Sequence, residues 1–360
     1  MPAVNEAAVR QVLEDFRDPE TGRSIAQLNQ VHGLRLEGDT LSVTLGLTTH
    51  SAPLWKEVGE ELEDLLAARF PELKQVAVAV EPHERAPMKL GQIGLTAKSV
   101  IAVGSGKGGV GKSTIAASLA YGLKRAGCAV GLMDADVYGP SIPHLLGVNE
   151  RPQTAEGKIR PIEKDGMKVM SMGLLVPRGE AVVWRGPMLH GAITQFLRDT
   201  HWGPLDWLVI DMPPGTGDIA LTLSQLLPMT GAVVVCTPQD VALLDAEKAI
   251  AMFRKVNIPV LGMVENMSYF LCPECGKRYD IFGSGGARRR AEELNVPFLG
   301  EVPITMSIRV YGDAGQTARN FEDEAARPYL EGICHRLVKG LADKLRRGDQ
   351  PAPLPSLPVL

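Results

Sequence analysis

The sequence has no long hydrophobic run. Its apolar stretches, such as "WLVIDMPP" and "AVVVCTP", stop at strand length, short of the roughly 18 uninterrupted apolar residues of a membrane-spanning helix. It has no excess of basic charge. Lys and Arg number 38 against 42 Asp and Glu, a formal net charge of −4, which argues against a general nucleic-acid binder. The first residues, "MPAVNEAAVRQVLEDF", are amphipathic and acidic, without the character of a secretory signal or transit peptide. Cysteine is scarce: 5 in 360 residues, an odd number that suits a reducing compartment and thiol or metal chemistry. No internal repeat is visible. The expectation is a soluble cytoplasmic protein with neither nucleic acid nor membrane as partner.

What is present begins with length. A chain of 360 residues, 45% hydrophobic and 22% charged, is globular in composition and fits two domains better than one. Residues 1–82 read as a small α+β domain. Residues 4–16 have helical apolar spacing, "LSVTLGL" alternates as a half-buried strand, "PLWKEVGEELEDLLAARF" is helical through Leu54, Val58, Leu62, Leu65 and Leu66, and "VAVAV" closes as a strand. Residues 83–98, preceded by Pro82 and broken by Pro87, read as a linker. From 99 to 346, continuous apolar runs ("VIAVGS", "AVGLMDAD", "WLVIDMPP", "AVVVCTP", "PVLGMVENM", "PFLGEVP") mostly alternate with helical segments. That alternation predicts an α/β fold, a doubly wound, mostly parallel sheet. Residues 347–360, rich in Pro, are expected to be a disordered tail.

The chemistry concentrates in "GSGKGGVGKST". Gly106, Gly111, Lys112 and Ser113 fill the pattern G-x-x-x-x-G-K-S/T between a buried strand and a helix. Backbone N–H groups from Gly106 through Thr114, including those of Gly108, Gly109 and Val110, can close around phosphates at a helix N-terminus. Lys112 would neutralise β/γ charge and Ser113 would hold Mg²⁺. Two further strand ends carry carboxylates: Asp134 and Asp136 in "LMDADVYGPS", and Asp211 in "DMPPGTGD". Asp211 suits a magnesium-proximal role at the carboxyl edge of the sheet, Asp134 is a second candidate there, and Asp136 could position or deprotonate attacking water. The bland reading of a strand-end Asp is helix capping. Lys107, a second lysine in the loop, is either a solvated cation near a polyanion or a specific ligand.

Cys272 and Cys275 form a C-x-x-C turn in "YFLCPECGKRYD". Thiolate metal sites normally take four ligands, so one pair is half a site that two protomers would complete. Cys128, Cys236 and Cys334 fall where small buried hydrophobes fall. Ligand chemistry leaves zinc and an iron–sulfur cluster both open, while Pro273 and Gly276 fit a thioredoxin-like redox turn poorly.

The loop "GKGGVGKS" resembles the deviant Walker A of the ATPases that include MinD, ParA and the nitrogenase iron protein. In that group the early lysine reaches the partner subunit's nucleotide, which implies that Lys107 acts across a homodimer. Together with "DADVYGPSIP", "RGPM", "ENMSYFLCPECG" and "FGSGG", the chain from about Val100 to about Arg319 resembles the Mrp/ApbC/NBP35 iron–sulfur carrier ATPases. The N-terminal residues look like a MIP18-type domain, although His50 and Ser51 in "TTHSAPLW" stand where many such domains have cysteine. The resemblance implies a slow, Mg²⁺-dependent, dimerisation-coupled ATP hydrolase. It implies a [4Fe–4S] cluster on Cys272 and Cys275 that bridges two subunits, supplied by assembly machinery and passed to apo iron–sulfur proteins. It also implies that Asn266 contacts adenine. The competing readings are a MinD/ParA-type positioning ATPase and a dimer stapled by structural zinc. The apolar stripe Leu330, Ile333, Leu337, Leu341 and Leu345 would then be the membrane-binding candidate, or else pack on its own domain.

Overall fold

The computed structural model describes residues 4–137, 139–175, 186–215 and 217–348, so the Pro-rich tail expected to be disordered lies outside the described residues, apart from its first two positions. Contacts divide the chain into two units. The first comprises 4–86, 126–128 and 338–348; the second holds most of the remainder.

In the first unit, helix α1 (Glu6–Asp15) is capped by Asn5, whose side chain accepts from the Ala8 N–H. Strands β1 (Val31–Glu37), β2 (Thr40–Leu47) and β3 (Gln75–Pro82) form a sheet in that order, β1 antiparallel and β3 parallel to β2. Between β2 and β3 runs α2 (Trp55–Arg69), which buries Val58, Leu62 and Leu66. Leu65, assigned to that stripe from spacing, is 40% exposed. Strand β1 was not expected. Its apolar alternation is interrupted by His32 and Gly33, and it is a half-buried edge. The last turns of the C-terminal helix also belong to this unit, contrary to a boundary at 346. Lys339 pairs with Glu57, Arg346 with Glu61 at 3.0 Å, and the Arg346 guanidinium sits 5.9 Å from the Phe16 ring centre.

The second unit opens with β4 (Lys89–Leu90), antiparallel to the start of β5 (Leu95–Gly104). Strand therefore begins inside the expected linker. Leu95 and Ala97 alternate into the core ahead of the continuous run at Val100, and their shorter pattern is less audible in sequence. Then follow α3 (Lys112–Ala126), β6 (Val130–Asp134) and α4 (Ile142–Leu146). Strands β7 (Gln153–Ala155), β8 (Lys158–Arg160), β9 (Ile162–Lys164) and β10 (Met167–Ser171) come next. These four also went unforeseen. Their signal was the turn pairs Glu156-Gly157 and Asp165-Gly166, all four residues at positive φ, as two-residue hairpins demand.

Beyond them lie α5 (Gly186–Asp199), β11 (Leu205–Asp211), α6 (Gly217–Leu226), β12 (Gly231–Cys236) and α7 (Asp240–Lys255). The chain ends through β13 (Val260–Leu271), β14 (Arg278–Tyr279), α8 (Gly286–Glu293), β15 (Phe298–Ile304), α9 (Met306–Asp313) and α10 (Arg327–Arg346). The main sheet runs β14-β13-β12-β5-β11-β6-β10-β9, with β15 also on β13. From β13 to β10 every pairing is parallel. Strands β5, β11 and β12 are buried almost throughout because helices cover both faces. Trp207, Phe196 and Phe253 are the largest fully buried side chains.

Of the stripe on α10, Leu330, Ile333 and Leu337 are buried within the chain, together with Cys334, Val338 and Ala342, while Leu341 and Leu345 are half-buried. No described helix is long and apolar enough to cross a membrane. Cys128, Cys236 and Cys334 are buried, as small hydrophobes would be. Helix α3 lies close enough to α10 that a Cβ on Gly122 would fall 2.3 Å from the Cys334 sulfur. Gly122→Val should therefore overpack this contact and cost on the order of 2 kcal/mol of stability. Thermal unfolding checks it, and an unchanged midpoint would show that the two helices can part freely.

Candidate nucleotide and metal-thiolate sites

Strand β5 has β12 on one side and β11 on the other, so its carboxyl end sits where ligands bind in doubly wound sheets. The glycine loop leaves from this end. Gly106 abuts α7 so closely that a Cβ would lie 2.0 Å from the Asp245 carbonyl oxygen. Gly111 has φ +78 and a Cβ there would meet the Asn266 amide at 2.1 Å, so only glycine fits. Asn266 donates from Nδ2 to the Val110 carbonyl at 2.9 Å. In the sequence it was singled out as an adenine contact; in the structure it braces the loop. The loop of "DMPPG" lies alongside, with Gly215 N–H donating to the Ser105 carbonyl at 3.0 Å.

Register brings Asp211 opposite Asp134 on adjacent strands. Both are fully buried. The Lys112 ammonium reaches Asp211 Oδ1 at 2.6 Å, Ser113 Oγ at 3.2 Å and Asp136 Oδ2 at 3.6 Å. Burial pushes the Asp211 carboxyl up from its ordinary value, and Lys112 opposes that shift. Asp134 is pushed up to about 8, first by burial and then by the Asp211 charge. Its oxygens are already engaged: Oδ1 accepts from the Asp136 N–H, and Oδ2 accepts from the Ile142 N–H and the Ser171 hydroxyl. Asp134 thus organises the following loop and the start of α4, the capping use weighed against its metal role. Ser171, on unforeseen β10, had no signal in the sequence. Asp136 accepts from the Gly139 N–H at 3.1 Å and faces Lys112.

A magnesium ion suits this edge. Asp211 Oδ2 is buried without a hydrogen bond of its own among the described residues, and the Ser113 hydroxyl lies close enough to stabilise the same carboxylate. Asp211 and Ser113 are the residues that would hold the ion. Gly108 and Gly109 are exposed, Val110 is buried, and Ser113 and Thr114 are half-buried at the start of α3. Lys107 is half-buried and makes no ion pair among the described residues; its own carbonyl accepts from the Ser105 hydroxyl at 2.9 Å.

The cysteine pair lies elsewhere, on the loop joining β13 to β14. Cys272 N–H donates to the Lys277 carbonyl at 3.0 Å, and Gly276, at φ +68, donates back to the Cys272 carbonyl at 2.8 Å. Cys275 is exposed and Cys272 half-buried. The backbone N–H of Cys275, then that of Glu274, stabilise the Cys272 thiolate and lower its pKa. The pair sits in an antiparallel hairpin, not at a helix N-terminus, so a thioredoxin-like arrangement is absent from it. No group of three or more His, Cys, Asp or Glu able to hold a metal occurs among the described residues. Glu265, unremarked in sequence despite being a charge inside an apolar run, is fully buried. It accepts from the Ser268 hydroxyl and from the Ala287 N–H of α8, tying the "FGSGG" segment to β13.

A parallel sheet whose switch-point strand feeds a G-x-x-x-x-G-K-S loop, with strand-end carboxylates beside it, defines a P-loop NTPase. Residues 96–338 match the model of the NUBPL iron-transfer P-loop NTPases, and residues 6–80 match that of an iron–sulfur cluster assembly protein. The chain belongs to the iron-transfer P-loop NTPase family. The iron–sulfur cluster carrier protein of Deinococcus radiodurans is 45% identical over 98% of this chain and 100% of that one. A nucleotide-binding protein of Archaeoglobus fulgidus, solved in complex with ADP, is 42% identical over 62% of this chain and 88% of its own, with a TM-score of 0.55. The cell division ATPase MinD of Pyrococcus furiosus shares the fold, with a TM-score of 0.50 at 22% identity over 66% of this chain and 97% of its own.

Removing Lys112 would strand two buried carboxylates without their cation. Lys112→Ala should abolish ATP turnover and lower the stability of the nucleotide-free protein by about 3 kcal/mol. Denaturant unfolding with a parallel turnover assay checks both, and wild-type turnover would overturn the phosphate-loop role.

Proposed function

We propose that the protein binds a [4Fe–4S] cluster between two copies of the chain and passes it to apo iron–sulfur proteins, with ATP binding and hydrolysis as the switch. The observation that carries this reading is the cysteine loop: two thiols, one exposed and one half-buried, presented on a hairpin with no third ligand among the described residues. Four thiolates on one chain would hold a cluster firmly, whereas a shared site opens when the dimer rearranges. A cytoplasmic carrier loaded by cluster assembly machinery fits this chemistry. So do the full-length likeness to a cluster carrier and the ADP complex of the archaeal relative.

In this reading the amides of Gly106 to Thr114 cradle the phosphates and Lys112 leaves Asp211 for the β/γ oxygens. Ser113 and Asp211 hold Mg²⁺, with Asp134 supporting that edge from behind. Asp136 orients water. Asn266, fixed on the loop, borders the base. Lys107, whose ammonium no described residue pairs, completes the charge of the partner's nucleotide on dimerisation, and hydrolysis is slow. A positioning ATPase is disfavoured because Leu330, Ile333 and Leu337 of the C-terminal apolar stripe are buried in the chain and Leu341 and Leu345 are half-buried.

Anaerobic reconstitution with iron and sulfide should give about four irons per dimer, the content of the four-thiolate cluster, with a cluster spectrum lost in Cys272→Ala. Tight zinc without an iron–sulfur chromophore would make the pair a structural staple and end the carrier reading. Lys107→Ala should keep nucleotide affinity yet slow hydrolysis by at least ~10³-fold, as loss of a charge supplied in trans does. Hydrolysis at the wild-type rate would return Lys107 to the solvated surface.

A further inference from the structure

The three-stranded sheet of the first unit brings together residues that neither site uses. His32 occupies the irregularity between Val31 and Gly33, where β1 slips against β2. A bulge re-aims a side chain, and this imidazole leaves its own strand to lie across β2. It can do so because the residue beneath it is Gly46: a Cβ there would sit 2.3 Å from both Cε1 and Nε2 of the ring. Glycine inside a strand marks such a close approach. Gly46 is in turn in register with Glu81 on β3. The His32 ring therefore spans three strands. Its Nδ1 meets Glu81 Oε1 at 2.5 Å, and its Nε2 faces His83 Nδ1 at 2.9 Å. His83 is anchored by its own N–H, which donates to the Leu47 carbonyl at 2.8 Å.

A carboxylate can only accept, so in the neutral His32 imidazole the proton sits on Nδ1 and Nε2 has the lone pair. A carboxylate behind one imidazole nitrogen is the arrangement that orients metal-ligating histidines. Two imidazole nitrogens facing each other at 2.9 Å can share a proton, or, with the rings turned, a cation.

We propose that His32 Nε2 and His83 Nδ1 form an open two-nitrogen site for a divalent first-row transition ion, with Glu81 fixing the His32 ring from behind. Imidazole donors suit zinc, copper, nickel and iron rather than magnesium or calcium. Tetrahedral ligation spaces two nitrogens about 3.3 Å apart, so the rings must separate by a few tenths of an ångström and also pivot off the line that joins them, since they now meet end to end with their centroids 5.2 Å apart. Glu81 lies on the far nitrogen and is no third ligand. The His32 side chain is 25% exposed and that of Glu81 49%, so water fills the open positions and the ion exchanges readily.

Zinc titration by calorimetry tests this on the full chain carrying Cys272→Ser and Cys275→Ser, which removes the thiolate pair. That parent should take one zinc per chain. Adding His83→Ala or His32→Ala should abolish the binding, and Glu81→Gln should weaken it about 10-fold. Should a variant fail to fold, Co²⁺ added to the parent should broaden the imidazole resonances of His32 and His83 before those of other histidines. A parent that binds no zinc, zinc binding unchanged in both histidine variants, or cobalt broadening centred elsewhere would overturn the site. The histidines would then be a hydrogen-bonded clasp between β1 and the end of β3.

Discussion

One cation among buried carboxylates governs the centre of this molecule. Asp211 closes β11 fully buried, and Asp136 stands almost as deep one strand over. Carboxylates so placed lose hydration and then repel one another, which pushes both Asp134 and Asp211 above the ordinary carboxylate range. Lys112 relieves that with a single ammonium, 2.6 Å from Asp211 and 3.6 Å from Asp136. A lysine at the first turn of α3 can reach both only if the preceding loop turns tightly. That requirement explains Gly106 pressed on α7 and Gly111 pressed on Asn266. The apo loop is thus shaped by the same charge that a triphosphate would compete for.

The sequence was most legible where burial on both faces made strands uniform. The ends of β5, β6 and β11 fall where continuous apolar runs give way to glycine or aspartate, and those ends border the candidate site. Lys112 was readable from the glycine-loop pattern that opens α3, and Asp136 and Asp211 from their places at the ends of neighbouring strands. Legibility failed where the signal was short or two-sided. Strands β7 to β9 have three residues each, too few for periodicity, and announced themselves only through their turn dipeptides. Strand β1 is a half-buried edge interrupted by His32, whose ring lies on Gly46, far along the chain, a relation that no local pattern encodes. Asp134 shows the converse limit. Its position suggested a metal, while its three donors, including Ser171 from an unforeseen strand, are visible only in three dimensions.

Strand β13 joins the two chemistries. Asn266 braces the phosphate loop from one part of it, and the strand runs on six residues to Cys272, a span of roughly 20 Å at strand rise. Between them the pairing with β15 slips, and Met267 adopts a φ of 53 that side chains other than glycine rarely take. The same stretch contains Glu265, which holds the start of α8. The irregularity therefore falls at the boundary between a segment fixed by buried hydrogen bonds and one that emerges to solvent. The consequence is an asymmetry of order. The nucleotide loop is clamped on three sides by Asp245, Asn266 and the carboxylate pair, while the cysteine turn has only its own backbone and the short β14 to shape it. On the proposed reading, a thiolate pair that gives up its cargo is better placed on the weakly held end of a strand than within the sheet, where four-sided packing would resist release.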